Sequence, residues 1–183
     1  PYITPVVVWA QVWKLILAGD TGILNNFLSM FGIEGTNWLF DMEMTMPMVI
    51  ANVVLKGVGY NVVIFLSAMM SVPESYYEAA ELDGAGSVMK FINITLPMIS
   101  PTTFMVIIMT IIGAFKSFAN IYNLTKGGPA RTTQIIILYI YQNAFREYKF
   151  GYAAAASVVL FVIILLLTVT QWAMRRRMVY AED

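Results

Sequence analysis

The chain has 183 residues and no net charge; 59% of its residues are apolar and only 12% are charged, about half of the roughly 25% usual for soluble domains. A neutral balance gives no electrostatic footing for nucleic acid. Cysteine and histidine are absent, which excludes disulfide frameworks, thiolate or imidazole metal sites, and Cys- or His-based catalysis.

The apolar residues lie in long uncharged runs, which points to lipid as the solvent and to an all-α, polytopic transmembrane bundle of about four spans. Pro1 is not preceded by a charged leader or a cleavage site, so the opening apolar stretch does not read as a signal peptide, and the chain reads as starting inside a longer protein. Residues 5–18, with Lys14 near their end, fall short of the about 20 apolar residues of a full crossing and are expected to be an incomplete span. Residues 19–43 form a loop with four acids and no Lys or Arg.

Residues 44–70 are a second span and carry Lys56 inside it. At about 100° per residue, Asn52, Lys56, Tyr60 and Ser67 fall within a wedge of roughly 80°. An intramembrane lysine facing lipid costs at least about 2.5–3.5 kcal/mol, so Lys56 should face a wet cavity or a partner. The competing reading has Lys56 snorkelling to the surface and the other three packing. Residues 71–95 are polar and helix-like. The third span, residues 92–115, opens with Pro97 and Pro101, which suit a helix start. Thr103, Thr110 and Ser117 recur every seven residues beside Gly113 and Ala114, a pattern more common in helix packing than in solute binding.

Gly127-Gly128-Pro129 marks a sharp turn within residues 116–148. This turn should shape an external loop, in a structural or a docking role. The last span, residues 151–173, ends in Arg175-Arg176-Arg177, and its small residues Gly151, Ala153 to Ala156 and Ser157 read as a close helix contact. Charge does not orient the bundle: one side holds four Lys/Arg and the other five.

The most informative segment is the loop at about 71–97. Pro73 and Glu74 suit a first helical turn, Tyr76, Tyr77, Ala79, Ala80 and Leu82 continue it, and Asp83-Gly84 stops it at a left-handed C-cap. A second short helix runs through Phe91 into the Pro97 span. The spacing is Glu78-Ala79-Ala80, three residues, Gly84, nine residues, Ile94, one residue, Leu96-Pro97. This pattern resembles the EAA loop of ABC importer permeases. Asp83-Gly84-Ala85 with Phe91 and Pro101 is similar to the carbohydrate-uptake branch, which includes maltose-type and glycerol-phosphate-type permeases. Gly57-Val58-Gly59-Tyr60-Asn61, Thr125-Lys126-Gly127-Gly128-Pro129, Tyr141 with Ala144-Phe145, and Gly151-Tyr152-Ala153 resemble the first of the two permease subunits such importers use. The match covers nearly all of the chain. It departs at the front, since such permeases usually have six spans or more.

The resemblance implies a multi-pass cell-membrane permease, with no cofactor of its own, that forms the translocation path for a sugar or related polar solute. Its partners would be a pair of ABC ATPase subunits, a second permease, an extracytoplasmic solute-binding protein and the lipid bilayer. The loop would face the cytoplasm and dock in the ATPase, with Glu78 as polar anchor, Ala79 and Ala80 as close-packed face, and Gly84, flanked by Asp83 and Ala85, as the bend. Positions matching Gly57, Tyr60, Gly113, Ala114 and Ser117 line the path in related sugar permeases, and the wedge on the second span adds Asn52 and Lys56. The sequence has no Walker-type Gly-x-x-x-x-Gly-Lys-Ser/Thr run, so nucleotide chemistry is expected in a partner. A secondary transporter should show intramembrane acids, which sit here only at span edges. A non-transporting membrane subunit would account for the spans but not for the spaced loop. Sugars, oligosaccharides, polyols and sugar phosphates all remain open as solutes.

Overall fold

A computed structural model describes residues 1–178 of the chain, with side chains through residue 173. The described residues form helices and no strand, in the order α1 (Val6–Ile16), α2 (Ile23–Ser29), α3 (Thr45–Met70), α4 (Glu74–Leu82), α5 (Ser87–Lys90), a π-helical turn (Phe91–Thr95), α6 (Leu96–Met98), α7 (Ser100–Phe115), α8 (Phe118–Leu124), α9 (Ile136–Phe145) and α10 (Phe150–Met178).

Among the described residues, two helices are long and apolar enough to cross a bilayer: α3, and α10 over Phe150–Ala173. With about 1.5 Å of rise per residue, the 26 residues of α3 reach about 39 Å, against about 30 Å of hydrocarbon. The third expected span is not straight. Ser87–Met98 and Ser100–Phe115 are bent by 64° relative to each other. The cause is Pro101, which lacks the amide that would bond the Pro97 carbonyl and whose ring crowds it. The helix therefore runs on before the prolines rather than starting at them. The fourth expected stretch, residues 5–18, yields only the 11-residue α1, about 16 Å long. The expected count of about four spans thus becomes two, or three with the bent pair. The arginine triplet at residues 175–177 lies outside the residues whose side chains are described.

The chain forms two compact units. One comprises Pro1–Gly59 and Ala114–Phe161. Its core is Leu17, Leu39, Val49, Ile121, Leu124 and Leu138, with α1 packed on α8. The start of α3 is organised by polar contacts. Asp41 Oδ1 accepts the amides of Glu43 at 2.8 Å and Met44 at 2.9 Å, satisfying first-turn donors. Asn25 clamps the preceding loop, donating to the Thr36 carbonyl at 2.8 Å and accepting from Trp38 Nε1 at 2.6 Å. The Gly127-Gly128-Pro129 turn is present as expected. Gly127 has φ +94°, a conformation that favours glycine, and a Cβ there would also press on Leu138 Cδ2 at 2.9 Å. Wholly buried Thr133 fastens the turn, donating to the Gly128 carbonyl at 2.9 Å and meeting Thr125 Oγ1 at 2.7 Å.

The other unit comprises Tyr60–Gly113 and the described residues from Val162 onward. It buries few apolar side chains, among them Ile99, Phe104 and Val106, and exposes Val62, Val63 and Leu66 on α3. Outward apolar faces on long helices suit lipid or a neighbouring subunit rather than water.

Candidate functional site

The loop between α3 and α7 is a folded module. Pro73, extended at φ −60° and ψ 134°, precedes α4, and Glu74 sits in the first turn, where a negative charge favours the helix N-terminus. The other end closes as a Schellman motif: the Ala85 amide donates to the Ala80 carbonyl at 2.9 Å and the Gly84 amide to the Glu81 carbonyl at 3.0 Å. Gly84 carries the required left-handed φ of +78°. The spacing of the two alanines and the glycine thus has a local physical cause. Ala80 and Ala85 are half-buried at the ends of the closing hydrogen bond, whereas Ala79 is exposed. Of the expected close-packed pair, Ala79 is therefore presented and Ala80 is partly used within the loop.

Two side-chain contacts that residue types alone did not single out tie α4 to the segment between it and α7. Tyr77 Oη lies 2.9 Å from Thr95 Oγ1, and Thr95 is buried at the end of the π-helical turn. Lys90 Nζ, at the end of α5, donates to Glu81 Oε1 at 2.6 Å. That lysine holds the Glu81 carboxyl below its ordinary pKa through the hydrogen bond and its charge. A nine-residue separation across a glycine turn follows no helical spacing rule, so the Glu81–Lys90 pair had no signal in the sequence.

The outer face of the module is open. Glu78, Ala79, Asp83 and Gly84 are exposed, and Leu82 is 91% exposed. Glu78 makes no hydrogen bond or ion pair among the described residues. Val88, Met89, Phe91 and Ile92 are also exposed, which leaves a run of large apolar side chains around an acidic helix.

Asn52 is wholly buried, and neither its amide nitrogen nor its amide oxygen has a partner among the described residues; its backbone carbonyl accepts from Trp9 Nε1 at 3.2 Å. Lys56 neither lies free nor snorkels. Its Nζ donates to the Thr4 carbonyl at 2.6 Å and the Pro1 carbonyl at 3.3 Å, and it sits 5.8 Å from the centre of the Trp9 ring. The partner that the desolvation argument requires is thus backbone ahead of α1. Tyr60 is 42% exposed. Ser67 is satisfied by the Val63 carbonyl at 2.9 Å. A Cβ added at Gly57 or Gly113 would meet nothing within 4 Å, so these glycines face open space. Ala114 is exposed near the end of α7, and Ser117 is half-buried at the N-cap of α8, beyond the helix on which it was expected. In the small-residue run of α10, Ala153 is buried, while Gly151, Ala154 and Ala155 are exposed.

Three comparisons bear on this arrangement. Residues 1–180 match the family described as "Binding-protein-dependent transport system inner membrane component". The chain is 35% identical over 180 residues to the sn-glycerol-3-phosphate transport system permease protein of Pectobacterium atrosepticum, covering 98% of this chain and 61% of that protein. It is 33% identical over 173 residues to the arabinooligosaccharides transport system permease protein of Halalkalibacterium halodurans, covering 93% of this chain and 55% of that protein. Among solved structures, a bacterial alginate ABC transporter in complex with an alginate pentasaccharide-bound periplasmic protein superposes with a TM-score of 0.90 at 27% identity, over 100% of this chain and 64% of the matched chain. The chain therefore spans about three-fifths of the length of the proteins it matches. It belongs to the family of inner-membrane components of binding-protein-dependent transport systems.

Proposed function

We propose that this chain forms part of the translocation path of a binding-protein-dependent ABC importer for a carbohydrate or related polar solute, and that the α4–α5 module couples the path to ATP hydrolysis by a partner. The matched relatives act on arabinooligosaccharides and sn-glycerol-3-phosphate, and the structural neighbour handles alginate, all hydroxyl-rich and membrane-impermeant. The partners in this reading are an ABC ATPase pair, a second permease and an extracytoplasmic solute-binding protein.

The observation that carries the reading is the module itself: an exposed helix presenting Glu78, Ala79 and Leu82, rigidly capped at Gly84 and joined to the bent span through Tyr77 and Thr95. A rigid handle on a helix that already bends can pass a rigid-body pull into the membrane. Glu78 anchors the docked surface, Ala79 and Leu82 fill it, and Asp83, Gly84 and Ala85 fix the turn. On the path side, Gly57 and Tyr60 on α3 contact solute, as do Gly113, Ala114 and Ser117 around the end of α7; Asn52, expected on the same wedge, is wholly buried and acts from within the packing of α3, and Lys56 holds the segment before α1 against α3.

The test is uptake and ATP hydrolysis by the reconstituted complex. Glu78→Ala should leave basal ATPase activity and membrane insertion intact while uptake is lost. Tyr60→Ala and Ser117→Ala should change solute rate or preference without releasing the ATPase. Unchanged uptake in all three would refute the assignment.

A further inference from the structure

Within the first unit lies a cavity of about 500 Å³ that the proposed path does not use. It is formed at the C-terminal end of α1, the loop before α3 and the turn after α8, and its lining includes Lys14, Asn37, Phe40, Lys126 and Pro129. Its volume falls within the about 300–1,000 Å³ of small-molecule pockets.

The charge of the lining is one-sided. Lys14 and Lys126 contribute two cations, and no acid among the described residues lines the cavity. Neither ammonium makes a hydrogen bond or an ion pair among the described residues, although Lys14 is half-buried. The nearest acid in sequence to the Phe40 wall, Asp41, has Oδ1 engaged by the amides of Glu43 and Met44. Buried Leu17, Leu39 and Leu124 form the floor. Lys14 is half-buried and Lys126 exposed, so the field of these unneutralised cations is strongest beside Lys14. The rest of the lining suits a hydroxylated ring: the Asn37 amide can donate and accept, and the exposed Phe40 ring offers a stacking face.

We infer that this cavity is a subsite for an oxyanion, a carboxylate or phosphate carried by a sugar-sized solute, held between the Lys14 and Lys126 ammonium groups. The sugar nature of the solute rests on the importer reading; oxyanion binding itself can be read in detergent without transport.

The experiment measures acylation rates of individual lysines by N-hydroxysuccinimidyl acetate, resolved by peptide mass spectrometry, on the intact detergent-solubilised permease. The probes are sodium glucuronate and inorganic phosphate at about 5 mM, above the roughly millimolar affinity of a small charged contact. Glucose serves as the neutral control, with ionic strength held constant because exposed charges are screened beyond about 8–10 Å. Lys14 and Lys126 should slow together by about threefold, the protection given by two-thirds occupancy, while Lys116 should not change. In Lys126→Gln, protection of Lys14 should disappear; in Lys116→Gln it should persist. Equal protection by glucose, protection spread evenly over Lys116 and Lys149, or no protection would overturn the inference. Protection seen only on adding the solute-binding protein, and not with either small anion, would also overturn it in favour of a protein carboxylate.

Discussion

Tyr77 Oη and Thr95 Oγ1 lie 2.9 Å apart, joining the exposed α4 to the buried end of the π-helical turn that leads into the bent span. A neutral hydrogen bond of this kind contributes about 0.5–1.5 kcal/mol net, enough to bias a two-state element about fivefold at 1 kcal/mol. Tyr77→Phe and Thr95→Val should each lower solute moved per ATP hydrolysed by a few-fold while the protein still inserts. The double variant should be no worse than either single one, because both remove the same bond. Additive losses in that cycle would show that the two residues act independently.

Gly84 sits at φ +78° with open space around its α-carbon, so substitution there acts through backbone conformation alone. Gly84→Ala should destabilise the Schellman closure by about 1–2 kcal/mol and reduce coupling, whereas Gly84→Asn, which tolerates the left-handed region better, should retain more. An Asn variant worse than Ala in coupled uptake would contradict the conformational explanation.

The Glu81–Lys90 pair gives a pH signature. The lysine depresses the Glu81 pKa from its ordinary 4.5, so the stabilisation is fully present above that value and is lost as pH falls through the lower folded-state pKa. Protection of the loop from proteolysis should be level above pH 4.5 and decline below it. Both partners reach solvent, so the step should shrink in high salt. Glu81→Gln should abolish the step; a step that survives in Glu81→Gln belongs to another carboxylate.

How much of the molecule was legible in the sequence depends on range. The α3 and α10 spans come from long apolar runs, broken in α3 only by Lys56, and the α4 cap comes from Pro73, Glu74 and Gly84, each a local matter of backbone chemistry. The bend was half legible: Pro97 and Pro101 were visible, but proline suits a helix start and a kink alike, and only the continuation through the π-helical turn decides between them. The partner of Lys56 was not legible, because the Thr4 carbonyl lies 52 residues away. The Lys14–Lys126 cavity was likewise hidden, since α1 and the Gly127 turn meet only through tertiary packing.

Asn52 offers a separation of stability from function. An amide wholly buried without partners costs about 1–3 kcal/mol. Asn52→Leu should therefore raise the melting temperature of the purified permease while reducing uptake. A variant that is more stable and transports normally would assign Asn52 to packing alone.

In the proposed importer, the α4–α5 module faces the cytoplasm and is covered by a nucleotide-hydrolysing partner, and every coupling role above depends on that placement. Since residues 1–183 contain no cysteine, Ala79→Cys places one thiol on the open face, and its labelling by a membrane-impermeant maleimide can be compared in inside-out and right-side-out vesicles. Labelling confined to inside-out vesicles, and suppressed when the ATPase is bound, is the predicted result. Labelling from the outside, or labelling indifferent to the ATPase, contradicts it.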